Sequence, residues 1–233
     1  AVRTQLKLAP SAQYQARLLA AGAGRTVVDY CFFHAPGRAV QTAIAKFYPD
    51  AGGERAYATM RALGDLLARR PNALLAVPQA LLYDAEQRLL LQNRVEGESL
   101  GALAAGPHAG QALHQVGAAL AELHRLPLPG GSTLRLHDHI SSLIRPHPRA
   151  LGEYAPELAM PAQTLLEALV LAETAIDVRA IAAPIHRDVH LRQLFLGQKR
   201  VWLIDWDLFA HGDPALDVGN FCVYLLTHIA EGG

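Results

Sequence analysis

The hydrophobic period of this chain changes near residue 95, and that change limits the folds open to it more than any other feature. Before it, Tyr14 to Ala20, Thr26 to Phe33 and Thr42 to Tyr48 are short runs rich in β-branched and aromatic residues. They are separated by Ala21-Gly22-Ala23-Gly24 and Ala35-Pro36-Gly37, which predicts three strands joined by turns. Glu54 to Arg70 has apolar residues at Tyr57, Met60, Leu63, Leu66 and Leu67, a helical spacing that Pro71 ends and that puts Glu54 in the first turn. Leu74 to Tyr83 and Arg88 to Gln92 return to strand character. Beyond Glu96-Gly97-Glu98-Ser99 the period is helical. Gln111 to Leu126 stacks Leu113, Val116, Leu120 and Leu123 on one face, and Ala159 to Thr174 is a second apolar helix. Between them, Pro127 to Pro148 is expected as loop with a short helix around Ile140 to Ile144. The expectation is an α+β chain: a small strand-rich lobe, a connector near residues 93 to 97, and a mainly helical second lobe.

Composition removes several kinds of partner. The 233 residues are 51% hydrophobic, enough for a core. With 21 basic against 21 acidic side chains there is no net charge to draw the chain toward nucleic acid or an anionic membrane. No apolar run reaches the roughly 18 residues that span a bilayer, because Glu167 interrupts Leu165 to Ala172 and Asp205 and Asp207 interrupt the run around Trp202. The N terminus, which starts at Ala1, has no signal-peptide pattern. Cys31 and Cys222 are too few and too far apart for a disulfide framework and are read as buried thiols of a reducing compartment. A cytoplasmic protein with neither nucleic-acid nor membrane partners is expected; nothing in the sequence signals its oligomeric state.

The chemistry concentrates between Pro184 and Asp207. Gln193 to Leu196 and Val201 to Ile204 are strand-like runs around a polar turn, a β-hairpin. With a three-residue turn, Gln198 to Arg200, Gln193 falls opposite Asp205, and both lie at the hairpin base beside the loop that holds Asp188. A loop carboxylate, an amide and a hairpin-base carboxylate can hold a divalent cation on oxygen ligands and leave one carboxylate for an incoming hydroxyl. Lys46 stands in the apolar strand Ala43-Ile44-Ala45-Lys46-Phe47-Tyr48, where a charge needs a partner. His186-x-Asp188-x-His190 also has the residue types of a zinc site, but no further His or Cys follows at ligand spacing.

His186-Arg187-Asp188, an amide five residues on, and Ile204-Asp205 at the end of a hairpin resemble the catalytic segment of the protein-kinase-like fold. The small-molecule branch, the aminoglycoside phosphotransferase and choline kinase-like family, is the closer resemblance. That branch favours a second histidine, here His190, and a Gly-Asp-Pro-x-x-Asp element, here Gly212 to Asp217. The similarity runs from about residue 14 to 228. It implies a bilobal kinase-like fold with an antiparallel-sheet N-terminal lobe, residues 1–94, for nucleotide, and a lobe of residues 95–233 for catalysis and substrate. It implies transfer of the γ-phosphoryl group of ATP, with Mg2+, to a hydroxyl of a small molecule. Asp188 would orient that hydroxyl and accept its proton. Gln193 and Asp205 would ligate the metal, with Asp207 either extending that coordination or capping the next turn. Lys46, ion-paired with Glu54, would hold the α- and β-phosphates. Gly22 and Gly24 would cover the phosphates, Val95 and Asn93 would meet adenine, and Asp217 would tie the catalytic loop from the second lobe. The chain departs from the family in having Gln193 where asparagine is usual. Its end at Gly233, soon after the Asp217 element, implies an acceptor pocket short of helices. A nucleotide-binding pseudo-enzyme of the same fold and a protein kinase are the alternative readings.

Overall fold

The computed structural model describes residues 2–8, 12–22, 25–35, 38–128, 133–143, 148–177, 181–197 and 199–231. Helix α1 (Val2–Gln5) precedes strands β1 (Gln13–Gly22), β2 (Arg25–Ala35) and β3 (Arg38–Phe47), followed by helix α2 (Gly52–Ala68). Strands β5 (Ala80–Asp84) and β6 (Leu89–Asn93) complete a five-stranded antiparallel sheet in the order β1-β2-β3-β6-β5. The run Leu74 to Tyr83 is therefore two elements. Pro78, which cannot donate to a ladder, lies between β5 and the two-residue β4 (Leu75–Ala76).

β4 turns away from this sheet. It pairs in parallel with β10 (Val201–Leu203), which pairs with β9 (Leu194–Leu196), which pairs with β7 (Glu98–Ser99). This second sheet takes strands from both sides of residue 94. Its hairpin register differs by one residue from the expected one. Leu203 faces Leu194, and the Gly197 N–H donates to the Arg200 carbonyl at 2.9 Å, so Arg200 belongs to the ladder and not to the turn. Gln193 consequently lies opposite Ile204, whose N–H donates to the Gln193 carbonyl at 3.0 Å.

The helical part holds α3 (Leu100–Ala104), α4 (Ala109–Leu123), α5 (Leu136–Leu143), α6 (Pro156–Glu173) and α7 (Ala215–Ala230), with a short ribbon of β8 (Ala183–Ile185) and β11 (Ala210–Gly212). The Ser99 hydroxyl caps α3 by accepting from the Ala102 N–H. The main core joins α2 (Met60, Leu63), α4 (Val116, Leu120, Leu123) and the hairpin (Leu194, Val201, Leu203) around Trp206. Removing this much apolar area from water, at roughly 25 cal/mol per Å², fixes the sheets against each other. A smaller cluster, Leu6, Phe32, Ala43, Ala45, Leu89 and Leu91, fastens the turn after α1 to the strand lobe.

Two apolar elements are less buried than their composition suggests. α6 buries none of its residues and exposes Leu158, Met160, Leu165, Leu169 and Leu171, and α7 exposes Val223, Leu226 and Ile229. The thiols also differ from expectation: Cys222 is exposed and Cys31 half-buried, and both are free. Among the described residues no helix is long and apolar enough to cross a membrane.

Candidate active site

The site forms where strand lobe and hairpin face one another. A cavity of about 350 Å³ is lined by Leu19, Val27 and Ile44 above, Val95 at the connector, and Phe195, Ile204 and Asp205 below, with Lys46 at its inner end. It continues into a recess of about 260 Å³ bounded by Gly22, Arg25, Lys46, Asp205 and Asp207. The expected site residues Lys46, Val95, Gly22, Asp205 and Asp207 are thus gathered along one cleft. Gly24 lies outside the described residues.

Lys46 does not pair with Glu54, which is exposed on the first turn of α2. Its ammonium donates to Asp205 Oδ1 at 2.5 Å and stands 3.6 Å from Asp207 Oδ1. A lysine in an apolar strand takes a carboxylate, as charge burial requires, but that carboxylate comes from the other lobe. Asn93 is also placed differently. Its Oδ1 accepts the Gln79 N–H at 2.5 Å, and its side chain helps line a separate surface concavity with Trp202 on it. Of the expected pair at the connector, only Val95 lines this cleft.

Asp205 takes a left-handed backbone, φ 70°, as does Arg187, φ 74°. Such conformations cost non-glycine residues on the order of 1–3 kcal/mol and persist where their surroundings fix them. Two carboxylates beside two cations define the electrostatics. Burial pushes the Asp205 carboxyl up, but the Lys46 charge and hydrogen bond, Arg25 and the Gln193 amide outweigh it and bring it down to about 2. Gln193 reaches Asp205 despite the shifted register, through Nε2 donating to Oδ2 at 3.2 Å. That bond leaves the Gln193 Oε1 as an oxygen donor. Asp207 accepts the Tyr48 hydroxyl at 2.8 Å and the Arg25 guanidinium. Burial and the neighbouring Asp207 push the Tyr48 phenol well above its usual range, so it stays a donor. Arg25 and Tyr48 were not anticipated. Their signal was alternation, since Tyr48 follows Lys46 on the same strand face and Thr26 pairs with Phe47, which brings Arg25 alongside Tyr48.

His186 sets the spacing between Asp188 and Asp205. Its Nε2 donates to the Ile204 carbonyl at 2.9 Å while its Nδ1 accepts the Asp188 N–H at 3.3 Å, which requires the neutral ring. Complete burial lowers its pKa in agreement, and the ring meets Trp206 edge to face at 4.8 Å. His190 serves the same loop. Its Nδ1 accepts the Arg192 N–H at 3.2 Å, and its ring lies 5.0 Å from Tyr224 of α7. Both histidines act as scaffold, and among the described residues no cluster of three His, Cys, Asp or Glu could hold a metal. Asp217 is fully buried. It accepts the backbone N–H groups of His186 (2.9 Å) and Arg187 (2.7 Å) and lies 3.0 Å from His124 Nε2 of α4. Asn220, one turn along α7, donates to the Val189 carbonyl at 3.2 Å. Asp188 is not among the residues that line the cavity or the recess; its carboxylate is one-third exposed, with the His190 Nε2 at 3.8 Å, too far for a hydrogen bond.

Two carboxylates and one amide oxygen are hard ligands of the kind magnesium takes, and they would leave positions open for further oxygen ligands. The longer side chain of Gln193 is compatible with this, because its amide already lies against Asp205.

The sequence profile of the phosphotransferase enzyme family matches residues 31–232. No curated protein matches. Among solved structures, the streptomycin–ATP complex of an aminoglycoside 2''-phosphotransferase has a TM-score of 0.58 at 14% identity, covering 93% of this chain and 71% of that one. A choline/ethanolamine kinase family protein from Mesorhizobium loti gives 0.59 at 17% identity, covering 97% of this chain and 70% of that one. An aminoglycoside phosphotransferase from Streptomyces rimosus gives 0.55 at 20%, covering 96% and 80%. With the profile matched over most of its length and the lobes arranged as in these kinases, the chain belongs to the phosphotransferase enzyme family and has a bilobal kinase-like fold.

Proposed function

We propose that the protein transfers the γ-phosphoryl group of ATP, taken with Mg2+, to a hydroxyl of a small molecule in the cytoplasm. The observation that carries this reading is one imidazole, His186, bonded on one side to the loop of Asp188 and on the other to Ile204 beside Asp205. It ties the loop of Asp188 to the hairpin end that carries Asp205, the partner of the buried Lys46. Residues 1–94 would hold base and phosphates, and residues 95–233 would supply the catalytic loop and the acceptor. The streptomycin–ATP complex and the choline/ethanolamine kinase relative support ATP and a small hydroxyl compound as the reactants.

In this reading Val27, Ile44 and Val95 bind the base by apolar contact. Lys46 turns from Asp205 to the α- and β-phosphates, and Gly22 lies at the phosphate end of the cleft. Gln193 and Asp205 would hold magnesium, with Asp207 near enough to join them. When bound, the metal neutralises charge on the β- and γ-phosphates. Asp188 accepts the hydroxyl hydrogen and aligns the nucleophile, so catalysis is mainly positioning and charge compensation. The test is incubation of the protein with γ-labelled ATP, Mg2+ and a panel of small alcohols, amino alcohols and sugars. Label should appear on one class of acceptor; exclusive release of inorganic phosphate, or no turnover with any acceptor, would count against the reading.

A further inference from the structure

Arg25 begins β2 and reaches into the recess at the phosphate end of the cleft. Its guanidinium contacts Asp207 Oδ2, while Asp207 Oδ1 takes the Tyr48 hydroxyl at 2.8 Å and stands 3.6 Å from the Lys46 ammonium. Lys46 in turn holds Asp205 at 2.5 Å. Two cations of the strand lobe thus neutralise two carboxylates of the hairpin segment in a recess whose other described lining residues carry no charge. A metal bound by Asp205 and Asp207 competes with Arg25 and Lys46 for the same oxygens. A cation deprived of its carboxylate in a half-buried recess is costly unless another anion receives it. The Lys46 side chain is 10% exposed and tethered within the sheet, whereas that of Arg25 is 44% exposed at the start of a strand and has room to turn. A guanidinium also matches phosphate oxygens two at a time, as an ammonium cannot.

Building on the phosphotransferase reading, we infer that Arg25 is a second phosphate-binding cation, held by Asp207 while the cleft is empty and passed to the terminal phosphates when the magnesium nucleotide enters. Tyr48 keeps Asp207 oriented once Arg25 leaves it. The device makes nucleotide and metal binding depend on each other: metal releases the cations, and phosphate receives them.

The test is calorimetric titration of ADP and of adenosine in buffer with EDTA, then of ADP with Mg2+. Arg25→Ala should weaken ADP binding about 10- to 100-fold, the loss expected for a charged hydrogen bond, and leave adenosine binding unchanged. Arg25→Lys should recover part of the loss. Asp207→Asn, which frees Arg25, should tighten ADP binding in the absence of metal. ADP affinity in Arg25→Ala equal to that of the unmodified protein would overturn the inference, as would equal losses for ADP and adenosine, which mark a scaffold role. Weaker metal-free ADP binding in Asp207→Asn would overturn the handover. If the unmodified protein binds neither adenosine nor ADP in any of these buffers, the nucleotide reading itself fails, and this inference with it.

Discussion

Asp217 is the most demanding position to change, because one carboxylate serves three groups. Oδ2 accepts the His186 N–H at 2.9 Å and faces His124 Nε2 at 3.0 Å, and Oδ1 accepts the Arg187 N–H at 2.7 Å. Asp217→Asn keeps the shape but turns one oxygen into a donor that must face donors. One or two hydrogen bonds to a charged acceptor are lost, each worth about 1.5–3 kcal/mol, so the cost is roughly 3 kcal/mol. At roughly 2–4 °C per kcal/mol for a chain of this size, the Tm should fall by about 6–12 °C. The loss is also local. The loop freed is the one that carries Asp188, so turnover should drop further than nucleotide affinity. Thermal unfolding followed by circular dichroism, together with hydrogen exchange of the 186–188 amides, reads both effects. A Tm within about 2 °C of the unmodified protein, with the amides equally protected, would refute the reasoning.

Three further outcomes are expected. Gly97 has φ 128°, and a Cβ there would sit 2.5 Å from the Leu196 carbonyl oxygen, so Gly97→Ala should displace the connector and cost about 2 kcal/mol or more in chemical denaturation; unchanged stability would show that the connector relaxes freely. Lys46→Met removes the partner of Asp205 and the inner cation of the cleft, so magnesium-ADP binding should weaken at least about 10-fold, and undiminished affinity by calorimetry would remove Lys46 from its role. Burial lowers the pKa of His186, His139 and His190 in the folded chain. The unfolded chain therefore binds more protons below about pH 6.5, and stability present above that pH is lost as pH falls; a urea midpoint that stays flat from pH 7.5 to 5 contradicts this.

The loop of His186 to His190, the hairpin and the first three strands were legible because each is a short-range pattern with its own signal. His186-x-Asp188 and the β-branched runs need no knowledge of the rest of the chain. The partner of Lys46 was not legible, because Glu54 and Asp205 both satisfy the rule that a buried cation needs an anion, and only packing of the lobes chooses between them. The hairpin register was misread for a related reason. A three-residue turn and a two-residue turn leave the same alternation in the strands, and the choice is made by the Gly197 to Arg200 hydrogen bond. Asn93 carries a polar side chain that could face base or backbone, and the Gln79 N–H just before β5 claims it. Asp217, Asn220 and Tyr224 share one face of α7 and support the loop of residues 186–190; their helical spacing was visible, but only Asp217 belonged to a motif.

The most direct test of the central claim pairs transfer with binding in Asp188→Asn. The side chain keeps its size and loses the oxygen that takes the hydroxyl hydrogen, while the Lys46–Asp205–Gln193 set stays intact. Phosphoryl transfer from ATP to the acceptor should fall by at least about 100-fold, the scale of general-base catalysis, with magnesium-ADP affinity within about twofold of the unmodified protein. Transfer at the unmodified rate would contradict the account.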